Sequence, residues 1–164
     1  MDRALKYLGF SLIELIVVMV IFVLLLSISY SWYRSWLRKV QIEQDTRAIY
    51  SAINTARTKA FSEKIVCGLK WAGANFKTME LCCDSNFDDS ILDESPIRVL
   101  NLRFPFGATT PSNFIYYSRN GLAKILGTIY SIENSEAFYD CVVVNKTRVR
   151  MGKWNASNSS CELR

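Results

Sequence analysis

No proline or glycine interrupts the chain between Phe10 and Cys67. Those two residues are the strongest helix breakers, so a stretch this long without them points to one continuous helix. Residues 10–30 are apolar almost throughout. At 1.5 Å per residue they rise about 31 Å, which matches a bilayer core of about 30 Å. Beyond Tyr30 the apolar residues thin into a stripe. Ile42, Ile49, Ile53, Ala56 and Ala60 recur at helical spacing, with Glu43, Asp45, Arg47, Asn54 and Lys59 interspersed as polar positions. The expected helix runs from about Phe10 to Ser62, about 80 Å long, with Gly68 as the stop soon after it.

One carboxylate, Glu14, is set into the apolar run. An ionised acid in a bilayer costs about 2–4 kcal/mol even on the lenient insertion scale. A residue kept at that cost usually pairs with something. The residues ahead of the run, Met1 to Gly9, include Arg3 and Lys6, which would hold this end in the cytoplasm. A secretory signal has a small-residue cleavage site after its apolar core. Ser31-Trp32-Tyr33-Arg34 offers none, and the small residue, Gly9, lies before the core instead. Cleavage there would leave the apolar helix on the mature chain with Phe10 at its N-terminus. Without such processing, the same run is a plain single-pass anchor.

Gly9-Phe10-Ser11-Leu12-Ile13-Glu14-Leu15 closely resembles the prepilin leader of type IV pilins and type II secretion pseudopilins. The resemblance implies removal of residues 1–9 by prepilin peptidase and N-methylation of Phe10. It also implies that the Glu14 carboxylate meets the Phe10 ammonium of a neighbouring subunit during assembly.

After Ile65 the texture changes to short runs of β type. Ile65–Trp71 and Phe76–Cys82 flank Ala72-Gly73-Ala74-Asn75, a hairpin signal. Ile97–Phe104 alternates cleanly, and Phe114–Ser118 leads into the Asn120-Gly121 turn signal. Leu122–Leu126, Thr128–Ile132, Phe138–Val144 and, after an Asn145-Lys146 turn, Thr147–Trp154 complete the set. The expected fold is α+β, a long N-terminal helix packed against an antiparallel β-sheet. Its segments are 1–9 (leader), 10–30 (transmembrane or filament-core helix), 31–64 (amphipathic continuation) and 65–164 (β domain).

Three later stretches extend the likeness. Ala56-Arg57-Thr58-Lys59-Ala60-Phe61 with Val66-Cys67, Phe114–Gly121, and Val142–Arg150 resemble segments of the GspH/FimT group of minor pilins and pseudopilins. Thr147 stands where that group often has glycine, and cysteine is richer here. The resemblance implies a pilin-like fold and a subunit that assembles into, or primes, a type IV pilus-like filament. It implies other pilins or pseudopilins, prepilin peptidase and an inner-membrane assembly platform as partners. The chain would sit in the bacterial inner membrane with its C-terminal domain periplasmic, then enter a surface pilus or a periplasmic pseudopilus. A minor pseudopilin of type II secretion remains open beside the pilus reading. A membrane-anchored exported enzyme is the alternative of a different class.

The chain has 164 residues, a formal charge of +5 and no histidine. The last fact removes Ser-His-Asp and Cys-His nucleophiles and His general acid–base chemistry. No catalytic residue, metal site or cofactor is read from the sequence. Asp84-x-Asn86-x-Asp88 starts like a calcium loop, but Asp89 and Ser95 stand where such a loop needs glycine and glutamate. It reads as a solvated acidic loop.

Five cysteines, Cys67, Cys82, Cys83, Cys141 and Cys161, all follow the anchor and would be exported to an oxidising compartment. An odd count leaves one thiol unpaired. Cys82 and Cys83 would point to opposite faces of a strand and not bond each other. Cys141 and Cys161 could staple the C-terminal tail, worth about 3 kcal/mol for a loop of about twenty residues. Cys67 with Cys82 or Cys83 is the second candidate pair.

Lys146, Arg148 and Arg150 alternate with Thr147, Val149 and Met151. On a strand they would share one face about 6–7 Å apart, a spacing that can follow successive phosphates. Lys153 and Trp154 would add charge and a stacking surface. DNA-binding minor pilins of the FimT type carry a similar GRxR element, onto which only Arg148 and Arg150 map. A solvated basic strand that discourages edge pairing uses the same residues. Trp32, Tyr33 and Trp36 read as an interfacial aromatic belt, followed by Arg34, Arg38 and Lys39.

Overall fold

The structure is a computed structural model that describes residues 11–85, 90–92, 94–133 and 136–163. One helix, α1 (Leu12–Glu63), precedes eight strands. The strands are β1 (Cys67–Trp71), β2 (Phe76–Cys83), β3 (Arg98–Ala108), β4 (Phe114–Tyr117), β5 (Gly127–Ser131), β6 (Cys141–Val144), β7 (Val149–Asn155) and β8 (Ser160–Leu163). They form one antiparallel sheet in the order β4-β1-β2-β3-β5-β6-β7-β8. The chain divides into two compact units, Met1–Leu37 and Arg38–Arg164.

In the second unit the helix buries the expected stripe. Ile42, Ile49, Ile53, Ala56 and Ala60 are fully buried. Most of them join Leu69, Phe76, Met79, Phe106, Ile115, Ile129, Val142 and Val144 in one core. Each Ile or Phe so buried is worth about 1.5–3 kcal/mol. The small side chains of Ala52, Ala56 and Ala60 let the strands lie close against the helix. Asp45, expected as a polar surface position, is buried instead and accepts N–H bonds from Arg103 (2.8 Å) and Phe104 (3.3 Å) on β3. Those two N–H groups lie in a part of β3 without a strand partner, so the helix carboxylate takes the ladder's place.

Several local expectations are corrected. The helix ends at Glu63, one residue past the expected Ser62, but its stop is Lys64, which turns left-handed (φ 57°), and not Gly68. Gly68 lies in β1 beside β4, where a Cβ would meet the Ile115 carbonyl at 2.3 Å. β3 runs on through Pro105 to Ala108. It pairs with β2 through Arg98–Asn101, and its end pairs with β5 through Phe106–Ala108. Proline's missing N–H is harmless at that changeover. The Asn120-Gly121 turn forms, with Gly121 at φ 69° and its N–H on the Ser118 carbonyl. The expected strand Leu122–Leu126 does not. It makes one bridge, Tyr117↔Ala123, and Ala123 then bonds Lys146 in the β6–β7 turn. Phe138 is not in a strand either, because its N–H goes to Glu43 Oε1 on the helix (2.7 Å).

The other face of the sheet carries a smaller cluster of Val66, Cys82 and Ile91, with Phe114 and Tyr116 against it. Cys82 and Cys83 do face opposite sides: Cys83 belongs to the main core and Cys82 to this cluster. Burial pushes the Cys82 thiol up from its ordinary value, chiefly opposed by the positive charge of Lys70. Burial also raises the Tyr117 phenol to about 12, opposed by Arg57, so it stays neutral.

Candidate functional site

Glu14 lies in the first turn of α1. Its side chain is exposed, and so are the other described side chains from Ser11 to Ser27. Ser11 stands immediately before the helix, and its carbonyl accepts the N–H groups of Glu14 (3.0 Å) and Leu15 (3.2 Å). Ser-x-x-Glu is also the sequence spacing of a capping box. Gly9 and Phe10 lie outside the described residues. Further along this unit Tyr33 stacks on Trp36 with ring centroids 6.2 Å apart, and Arg34 lies over Tyr30 at 5.4 Å. An exposed apolar helix long enough to cross a membrane fits an inner-membrane anchor.

The basic constellation is only partly what its spacing predicted. Lys146 and Arg148 are not on a strand. They sit in the turn between β6 and β7, closed by Asn145 N–H on the Arg148 carbonyl (2.9 Å). Arg150 is on β7, where Val149 and Met151 pack against the core. All three cations are exposed, and among the described residues none is in an ion pair. Lys153 is not with them: its Nζ is 2.6 Å from the buried Asp140 carboxylate. Trp154 stacks on Tyr130 at 4.0 Å and 8°. The basic surface is therefore two cations in the turn and Arg150 at the start of β7, without the neighbours expected of them.

Two disulfides form. Cys141 joins Cys161, as expected, and Cys67 joins Cys83 rather than Cys82. Cys67 and Cys83 are register partners across the β1–β2 hairpin, while Cys82 is the free cysteine. Of the acidic loop, Asn86, Asp88, Asp89 and Asp93 lie outside the described residues. Asp84 is buried, with its N–H on the Val66 carbonyl (2.8 Å). No group of three or more His, Cys, Asp or Glu side chains is placed to hold a metal among the described residues.

Residues 5–30 match the family described as the prokaryotic N-terminal methylation motif. The fold matches the crystal structure of the type IV minor pilin FimU of Pseudomonas aeruginosa with a TM-score of 0.55. That match covers 72% of this chain and 92% of FimU at 12% sequence identity. The chain carries a prokaryotic N-terminal methylation motif and a fold like that of a type IV minor pilin. No curated protein matches it.

Within this pilin-like fold, the residues that organise the C-terminal end of the sheet are ones that sequence reasoning missed. Asp140 holds Lys153 and also the Trp154 N–H (2.5 Å). Nothing local marks β8 as a strand: Ser160-Cys161-Glu162-Leu163 has no β-branched residue, and the preceding turn has no glycine, Ser159 taking φ 47° instead. The pairing of Cys141 with Cys161 was the one signal that this tail is fastened. At the start of the second unit, Lys39 bonds Glu136, and that contact holds the Glu136 carboxyl below its ordinary range.

Proposed function

We propose that this chain is a minor pilin-type subunit: anchored in the inner membrane by residues 10–30 with its sheet domain periplasmic, cut after Gly9 by prepilin peptidase, N-methylated at Phe10, and assembled into a pilus-like filament. The observation that carries this reading is the pairing of the methylation motif at residues 5–30 with a FimU-like fold on one chain. The Glu14 carboxylate pairs with the Phe10 ammonium of a neighbouring subunit, which resolves the cost of an acid in an apolar helix. The work is assembly and binding rather than catalysis. Fractionation tests the reading: the chain should appear both in the inner membrane and in sheared surface filaments. Its confinement to the membrane, in cells that make filaments, would contradict the reading. Recovery in a periplasmic pseudopilus fraction would point to type II secretion.

The exposed turn favours a second, compatible activity. Lys146, Arg148 and Arg150 present three cations to solvent, so the turn should hold DNA by its backbone, without regard to sequence and with steep salt dependence. Replacing Arg148 and Arg150 with Gln should weaken binding and lower the salt slope by about two, because each lost phosphate contact releases about one counterion fewer. No gel shift of DNA at low salt would leave the turn to protein contacts alone.

A further inference from the structure

A cleft of about 550 Å³ lies where the ends of β5, β7 and β8 meet the β1–β2 turn. Its walls include Tyr130, Trp154, Asn155, Glu133, Glu162 and Ser131. Asp140 and Lys153 also line it but neutralise each other, which leaves the carboxylates of Glu133 and Glu162 as its net charge. Glu162 accepts a bond from Asn155 Nδ2 (2.8 Å) and keeps a second oxygen for a ligand. The Ser131 hydroxyl is buried and has no hydrogen-bond partner among the described residues. Two carboxylates, a spare hydroxyl and a stacked aromatic pair suit a guanidinium, which is planar, rich in donors and attracted to ring faces. They repel a phosphate.

The same chain presents such groups. Arg148 and Arg150 are exposed at the turn end of the β6–β7 hairpin, whereas Lys153 to Asn155 line the cleft at its other end. Neither arginine lines the cleft of its own copy, and along β7 Arg150 lies about 13 Å from Trp154, so a copy does not fill its own cleft. We infer that the basic turn of one copy seats its arginines in the acidic, aromatic cleft of another copy. The contact joins two different patches and does not close on itself, so it propagates head to tail as a filament does. It rests on the subunit reading and adds the surface by which the sheet domains meet.

The test uses the purified full chain in detergent micelles, followed by sedimentation. Wild type should form an open-ended series of oligomers that shrinks as salt rises. The cleft variant Glu133→Gln/Glu162→Gln and the turn variant Arg148→Gln/Arg150→Gln should each weaken association at least about ten-fold. Mixed together they should give dimers and nothing larger, because the intact turn of one fits the intact cleft of the other. Unchanged oligomers in either variant, or a mixture no larger than its parts while circular dichroism stays native, would overturn the proposal. So would a wild-type chain that stays monomeric at every concentration. A chain that is processed and methylated at Phe10 but shows none of this association defeats the docking and leaves the subunit reading standing.

Discussion

A single methyl group added at Gly152 should detach the C-terminal strand from the sheet. Gly152 lies on β7 between Cys141 of β6 and Leu163 of β8. The Cys141–Cys161 disulfide joins β6 to β8 and so spans β7 at this point. A Cβ on residue 152 would lie 2.2 Å from the Glu162 carbonyl oxygen and 2.9 Å from Cys161 Sγ. The first is backbone and the second is held by a covalent bridge, so neither can swing aside. Relief requires β8 to move, with loss of its ladder and strain on the staple. Overpacking alone costs about 1–3 kcal/mol, and the disulfide is worth about 3 kcal/mol. Gly152→Ala should therefore cost about 3 kcal/mol or more, and Gly152→Val more again. That is a large fraction of a domain's total stability of about 5–15 kcal/mol. Gly73→Ala is the control. Gly73 has φ 76° but nothing within 4 Å of its missing Cβ, so its cost should be backbone strain of about 1–2 kcal/mol. Urea midpoints of the two variants decide the matter, and Gly152→Ala at or above the Gly73→Ala midpoint would refute this account of β8.

Glu14→Ala should leave the chain in the membrane and keep it out of the filament. Removing the carboxylate eases insertion, since an ionised acid costs about 2–4 kcal/mol there. Assembly goes the other way. A subunit that lacks Glu14 leaves a neighbour's Phe10 ammonium unpaired among apolar helices, a loss of about 3–5 kcal/mol and a hundred-fold or more in incorporation. The Ser11-x-x-Glu14 spacing offers a rival explanation, because Glu14 could matter only as a helix cap. Glu14→Gln separates the two. Glutamine can cap as glutamate does but carries no charge, so incorporation should fall nearly as far as with alanine. Normal incorporation of Glu14→Gln would assign Glu14 to capping and remove it from assembly.

The fold's outline was legible because its signals are local. The stripe Ile42, Ile49, Ile53, Ala56, Ala60 specifies a helix face without reference to anything else, and all five are buried. The β1–β2 hairpin forms around Ala72–Asn75 as the turn signal between two β-type runs implied. What escaped depends on partners distant in sequence. Asp45 is polar by composition and is buried because two N–H groups of β3, nearly sixty residues on, need an acceptor. Lys153 looked like one more cation until the fold set it beside Asp140. Leu122–Leu126 reads as a strand, yet its Lys124 N–H bonds Tyr116 of β4 while its Ala123 N–H bonds Lys146 in the β6–β7 turn, which no local pattern encodes. The choice of Cys83 over Cys82 follows from register, since Cys83 and not Cys82 is opposite Cys67.

The state of the N-terminus is the most direct check on the central claim. Intact-mass and peptide mass spectrometry of the chain extracted from membranes should show residues 1–9 removed and N-methylated phenylalanine at Phe10. An intact Met1, or a mature terminus beyond residue 30, would contradict it.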